Sequence, residues 1–191
     1  MNSLEIVVRE ATREDADIIA RAVAMAIGDR EALCDYCGED YLSVLTEVAA
    51  EDVSQYSWRC AYVAELNGVV AGAIVGYDGA MLAQLREGTF DVLRKRIGCV
   101  PQIADETEVG EYYLDSVGVL PEFRGLGVGR ELIAVFCEKV FAKGYDCVGL
   151  IVDYDNAQAE KLYFSLGFRR VGTRQFFGHH MWHLQRMSSH D

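Results

Sequence analysis

Leu114-Asp-Ser-Val-Gly-Val-Leu-Pro-Glu-Phe-Arg-Gly-Leu-Gly-Val-Gly-Arg-Glu-Leu-Ile133 reads as a strand, a glycine-rich turn and the opening of an amphipathic helix. Pro121 lacks an N–H and ends the strand. Gly125, Gly127 and Gly129 let the backbone come close to a ligand, and the first free N–H groups of the helix point into the same concavity. Such a nest, at the positive end of a helix dipole, binds phosphate. Arg124 and Arg130 put positive charge at its edge. A P-loop would need Gly-Lys-Ser/Thr after the turn, and Gly129 is followed here by Arg130-Glu131. A dinucleotide fingerprint would need GxGxxG with an acidic residue about 20 positions on. The chain offers GxGxG, and Tyr145-Asp146 is a poor match for the acidic position.

Working outward, Leu4 to Arg9 is strand-like, and Thr12 with Asp15 opens a helix whose apolar positions Ala16, Ile19, Ala20, Val23 and Ile27 run to Gly28. Asp40 starts a second helix on Tyr41, Val44, Leu45 and Val48. Two strands, Cys60 to Leu66 and Val69 to Tyr77, flank Asn67-Gly68, a strong signal for a two-residue hairpin. Met81 to Ile97 is helical with an interruption at Gly88, and Gly98 to Gly110 has the composition of a loop. Beyond the strand Glu111 to Leu120 come a helix over Arg130 to Ala142, a strand over Val148 to Asp153 and a helix over Asn156 to Leu166. Two short strands between Phe168 and Arg186 complete the pass. Hairpins in the first half and helical crossovers in the second predict a single α/β domain over 1–191. Its sheet is mixed and mostly antiparallel, helices lie on both faces, and a helical insertion spans about 79–110.

Val117-x-Val119-x-Pro121-Glu-Phe-Arg124-Gly125-Leu126-Gly127-Val128-Gly129-Arg130 resembles the acetyl-CoA-binding motif of GCN5-related N-acetyltransferases (GNAT), whose signature is Arg/Gln-x-x-Gly-x-Gly/Ala. Asn156-x-x-Ala159-x-x-x-Tyr163-x-x-x-Gly167-Phe168 resembles the second signature of that family, at the family's spacing. The likeness covers Glu111 to about Val171; the N-terminal part agrees only in the order of its elements.

The resemblance implies acetyl-CoA as acyl donor, no metal, and transfer to a primary amine of a small molecule or peptide by direct attack on the thioester. Protein lysine or N-terminal acetylation, and a non-enzymatic acetyl-CoA sensor, are the alternatives. It implies that the backbone of Val117, Gly118 and Val119 pairs with the pantetheine arm like an added strand. The amides from Arg124 to Arg130 would hold the pyrophosphate, and Asn156 would touch the pantetheine or, as an N-cap, steady its loop. Tyr163 matches the tyrosine that protonates the departing sulfur, although Ala159, Leu162, Tyr163 and Leu166 also have the spacing of a core stripe. For the base, Glu111, Tyr113 and Asp115 share a strand face by alternation. Tyr113 occupies the position of the histone-acetyltransferase glutamate, so Glu111 is the first candidate and Asp115 the second.

The formal charge of −12 disfavours a phosphate backbone as partner and suits a cationic acceptor, though solubility alone is the commoner reason for such a charge. No run approaches about 18 apolar residues, and Met1-Asn2-Ser3-Leu4-Glu5 does not read as a leader, so the expectation is a cytoplasmic protein with no membrane partner. Cys34-Asp-Tyr-Cys37 is a lone CxxC placed between two predicted helices. His179, His180, His183 and His190 lie too far along the chain to complete a zinc site with it. Reduced cysteines are expected, His179, His180 and His183 are left outside the site, and a homodimer is left open.

Overall fold

The computed structural model describes residues 5–189. Leu4, expected to begin the first strand, and His190 lie outside them, as do the outermost residues of the expected 1–191 domain. Seven strands, β1 (Ile6–Glu10), β2 (Ala61–Leu66), β3 (Val69–Asp78), β4 (Tyr112–Val119), β5 (Cys147–Asp153), β6 (Arg169–Phe176) and β7 (His179–Met187), form one sheet. Its order is β1-β2-β3-β4-β5-β7-β6, and only β4 and β5 run parallel. The helices are α1 (Ala16–Ile27), α2 (Arg30–Cys37), α3 (Tyr41–Ala50), α4 (Leu82–Ile97), α5 (Val128–Ala142) and α6 (Ala157–Ser165). None is long and apolar enough to cross a membrane.

Strand alternation sorts the core onto two faces. Val63, Ala73 and Val75 pack against Ile19 and Val23 of α1, Leu45 and Val48 of α3, and Leu93 of α4. Tyr62, Ala64, Ile74 and Leu114 face Leu132, Ile133, Phe136 and Val140 of α5. The β2–β3 turn is the two-residue loop expected, with Asn67 and Gly68 both at positive φ, 52° and 79°. Asp15 locks the entry to α1, accepting from the Thr12 N–H and from two nitrogens of Arg9 at 2.7 and 2.9 Å. The Arg9 guanidinium holds this carboxyl below the usual range.

Two expectations are corrected. The CxxC does not sit between helices. Cys34 and Cys37 are both in α2, which Asp29 caps by accepting from the Glu31 and Ala32 N–H groups. Both thiols are free, and burial pushes that of Cys37 up to about 12. Nor does Gly88 interrupt its helix. It lies within continuous α4, where a Cβ would overlap the Val53 carbonyl oxygen, so glycine serves close approach. Helix propensity favours alanine there by about 1 kcal/mol, but a backbone clash of this kind costs about 1–3 kcal/mol. Gly88→Ala is therefore expected to lower the melting temperature by several degrees. Unchanged or raised melting in a thermal scan would show that Val53 yields.

The 79–110 insertion is a short 3-10 turn, α4 packed on α3, and a loop that returns to the start of β4. That loop carries Glu106 into the interior, where its side chain is 4% exposed.

Candidate active site

β4 and β5 pair only at Tyr112–Val148 and Tyr113–Gly149 and then part. Beyond the parting, β4 stays paired with β3 as far as Val119 while β5 stays with β7. Between them lies a cavity of about 520 Å³, walled by Leu114 to Val119 on one side and Leu150 to Asp153 on the other. Gly129 at the start of α5 and Asn156 and Tyr163 of the α6 segment complete this end. Gly118 fits because α1 comes close: a Cβ there would stand 2.6 Å from the Ala22 Cα.

Gly125 and Gly127 adopt positive φ, 75° and 90°, and turn the chain into α5, whose first-turn amides face outward at this end. Leu126 is exposed at the tip and Val128 is buried beneath it. Arg130 bonds the Ser165 hydroxyl. The Arg124 side chain turns to the end of β4. Its Nε donates to the Val119 carbonyl at 3.1 Å and its terminal nitrogen approaches Met25 Sδ at 3.4 Å, so the guanidinium closes the end of β4. Asn156 Oδ1 caps α6 by accepting from the Ala159 N–H at 3.1 Å, and the residue lines the cavity.

At the other end the β3–β4 register slips, with Val75 opposite Ser116 and Gly76 opposite Leu114, leaving Asp115 as the extra residue of a bulge. Its carboxylate turns into the cavity and accepts from the hydroxyls of Tyr77 and Ser116, both at 2.8 Å. Burial pushes it up to about 6. Glu106 lines the same end, accepting from Gln55 at 3.2 Å and from Arg86; burial, then the charge of Asp115, pushes it up to about 7. Tyr56, Tyr113, Phe176 and Phe177 supply apolar walls. Phe177, at φ 47° in the β6–β7 turn, sets its ring edge-on to Tyr36 of α2 at 5.9 Å, roofing this end. At the side, Asp153 and His179 pair at 2.8 Å.

Residues 30–168 match the model of the Acetyltransferase (GNAT) family. The chain belongs to that family. An acetyltransferase of known crystal structure is 33% identical with a TM-score of 0.79, covering 95% of this chain and 98% of its own. An N-acetyltransferase from Staphylococcus aureus Mu50 has a TM-score of 0.80 at 23% identity, over 94% and 99% of the two chains, which shows the shared fold. The N-alpha-acetyltransferase RimI of Mycobacterium tuberculosis is 34% identical over 114 residues, 60% of this chain and 55% of that protein. The mycothiol acetyltransferase of Frankia casuarinae is 43% identical over 68 residues. That stretch is 36% of this chain and 19% of the relative, so the chain spans only part of the length of these two relatives.

Within this GNAT domain, Tyr163 of the second motif falls in α6. It is 8% exposed, lines the cavity, and sets its ring edge-on to Phe168 at 5.6 Å. Its hydroxyl has no hydrogen-bond partner among the described residues, and burial pushes it up to about 12. It therefore keeps its proton at neutral pH.

Glu111, the first candidate for the base, is not brought to the cavity. It precedes β4 and is 1% exposed, folded over Gly149. Its carboxylate accepts from Thr107 at 2.9 Å, His183 at 2.8 Å and Gln185 at 2.9 Å. Burial works against its charge, but the bonds from His183, Gln185 and Thr107 outweigh it and hold the carboxyl below its ordinary range. Ligand atoms of Glu108, Glu111 and His183 lie within 4.8 Å of one another, with Glu108 held by Arg174 at 2.8 Å. Glu111→Gln is expected to leave acetylation within about threefold of wild type, because a general base contributes 10²–10⁴-fold and Glu111 is not placed to be one. A loss of 10²-fold or more in a steady-state assay, with the fold intact, would restore it as the base.

The sequence reading missed Glu106, Tyr77 and the Phe176-Phe177 roof, and it left out His179, which lines the cavity. Glu106 sits in a loop with no periodicity to betray it. Of this group, only the aromatic pair at the β6–β7 turn had a visible signal, two bulky rings where a hairpin favours small residues.

Proposed function

We propose that the protein transfers the acetyl group of acetyl-CoA directly to the primary amine of a small molecule or of the tip of a peptide. The observation that carries this reading is a single cavity. It joins the parted backbone of β4 and Tyr163 at one end to a roofed end lined by Asp115 and Glu106. Past Tyr113, the β5-facing backbone groups of β4 have no strand partner, and Val117, Gly118 and Val119 offer them to the pantetheine arm. The amides of Arg124 to Arg130, at the positive end of α5, suit the pyrophosphate. An N–H near Val119 polarises the thioester oxygen. Asp115 takes the proton that an ammonium must lose before it can attack, and Tyr163 supplies one to the departing sulfur. Most of the acceleration comes from holding the two reactants in line within one cavity.

The likeness to RimI, named an N-alpha-acetyltransferase, favours the α-amino group of a peptide as a second reading. The Phe177 roof is compatible with both, since either acceptor enters end-on. The test is to incubate the protein with acetyl-CoA and polyamines, aminoglycosides or basic peptides, following free thiol and the mass of the acceptor. Acceptor-dependent thiol release with gain of one acetyl group is expected. Release without acetylated acceptor, or no release across the panel, would contradict the reading.

A further inference from the structure

The acidic end of the cavity contains more machinery than one base requires. Tyr77 stands between two carboxylates, its hydroxyl 2.8 Å from Asp115 Oδ2 and 3.5 Å from Glu106 Oε1. Gln55 Nε2 donates to both the Tyr77 hydroxyl and Glu106 Oε1, each at 3.2 Å, and so holds the bridge in place. The other oxygen of Glu106 meets Arg86, whose second branch reaches Asp105, 75% exposed, at 2.6 Å. A continuous line of polar groups thus runs from the cavity floor toward the surface loop that carries Glu106. Of this line, only Asp115 is on the strand that bears the family motif.

Resting on the acetyltransferase reading above, we propose that Asp115 and Glu106 work as one proton-sharing pair bridged by the Tyr77 hydroxyl. The proton taken from the acceptor ammonium then comes to rest on Glu106 instead of remaining beside the reacting nitrogen. The balance is simple. The ammonium N–H bond breaks and its proton passes to the Asp115 carboxylate. Asp115 returns a proton to the Tyr77 oxygen as the Tyr77 hydroxyl proton moves to Glu106 Oε1. Tyr77 ends neutral, Asp115 is again a carboxylate, and Glu106 is a carboxylic acid. Glu106 and Tyr77 act through Asp115 and are positioning residues.

The groups facing the pair come from each surrounding element. They are Tyr77 of β3, Tyr113 and Ser116 of β4, Arg86 of α4, Asp105 of the following loop, and Gln55 and Tyr56 of the α3–β2 connection; Tyr36 of α2 lies behind Tyr56. Arg86 is the one cation among them. It favours ionisation but offsets only one of the two negative charges; burial, and for Glu106 the charge of Asp115, outweigh it, so the pair retains a proton into the neutral range, as coupled carboxylates do.

The intact chain, labelled with carbon-13 at Asp and Glu side-chain carboxyls, should show two resonances that titrate in linked two-step curves between about pH 5 and 8. Glu106→Gln should remove one resonance and make the other a single step, shifted down by about one pH unit as the neighbouring negative charge is lost. Tyr77→Phe keeps the charge of Glu106 but removes a bond that favours ionised Asp115, so the Asp115 step should move up. The acidic limb of the acetylation profile, measured with spermidine or the most active panel peptide, should follow: down in Glu106→Gln, up in Tyr77→Phe, with plateau kcat reduced about tenfold in both. Two independent single-step titrations in the wild type would overturn the proposal. So would reduced activity in both variants with an unmoved limb, the signature of a purely structural role. An acetylase whose Asp115→Asn variant keeps full activity and the wild-type limb would instead remove the reading on which the proposal rests.

Discussion

Tyr163→Phe is expected to lower kcat for amine acetylation by about 10²-fold while leaving acetyl-CoA affinity within about threefold. The substitution removes one oxygen and keeps the ring that packs edge-on to Phe168, so the fold has little reason to respond. The hydroxyl makes no hydrogen bond to the described residues, and its deletion orphans no buried donor. In the proposed reaction its use is in the cavity, where a protonated phenol would meet the departing sulfur. The effect is bounded because a thiolate, with an ordinary pKa near 8.5, leaves tolerably well without help. Stopped-flow measurement of thiol release, with calorimetry of cofactor binding alongside, separates the two quantities. An undiminished kcat would return Tyr163 to the core stripe that its helical spacing equally permits.

Asp115→Asn is expected to remove at least 10²-fold of kcat/KM and, at the same time, to make the protein more stable above about pH 7. Both effects follow from one bulge that aims a carboxylate into the cavity. Burial raises its folded pKa to about 6, above the unfolded value near 4, so the native state binds more protons than the unfolded state across that interval. Stability therefore falls as pH rises through the window, and the penalty is fully present above it. Asparagine removes the penalty and still accepts from Tyr77, while the Ser116 hydroxyl can turn to meet the amide. Thermal melts of both proteins at pH 4 and pH 8 should show the variant gaining only at pH 8. Wild-type activity in the variant, or equal melting at both pH values, would refute this account of Asp115.

The glycine-rich turn from Arg124 to Arg130, the Asn67-Gly68 hairpin and the strand–helix alternation after Val148 were legible because each rests on local chemistry: positive φ, a missing N–H, a periodic apolar face. Helix α2 was not, since Arg30–Cys37 is short and weakly apolar, and its main mark is the Asp29 cap. Glu111 shows the limit of alternation. The pattern could say which face it takes, but not that His183, 72 residues on, and Gln185 would arrive on β7 to enclose it. Glu106 marks the converse case: a residue from an aperiodic loop becomes part of the site only because α4 packs on α3 and returns the chain to β4. Arg124 matched its motif, yet the motif did not announce that its guanidinium would bond the Val119 carbonyl, five residues back.

The most direct test of the central claim is amide hydrogen exchange of the intact protein with and without coenzyme A. If the parted strands hold the pantetheine and the turn holds the pyrophosphate, protection should rise over residues 114–130 and around Asn156, where β4 otherwise lacks a partner on its β5 side. Exchange over that segment unchanged by saturating coenzyme A, or protection confined to another part of the sheet, would contradict it.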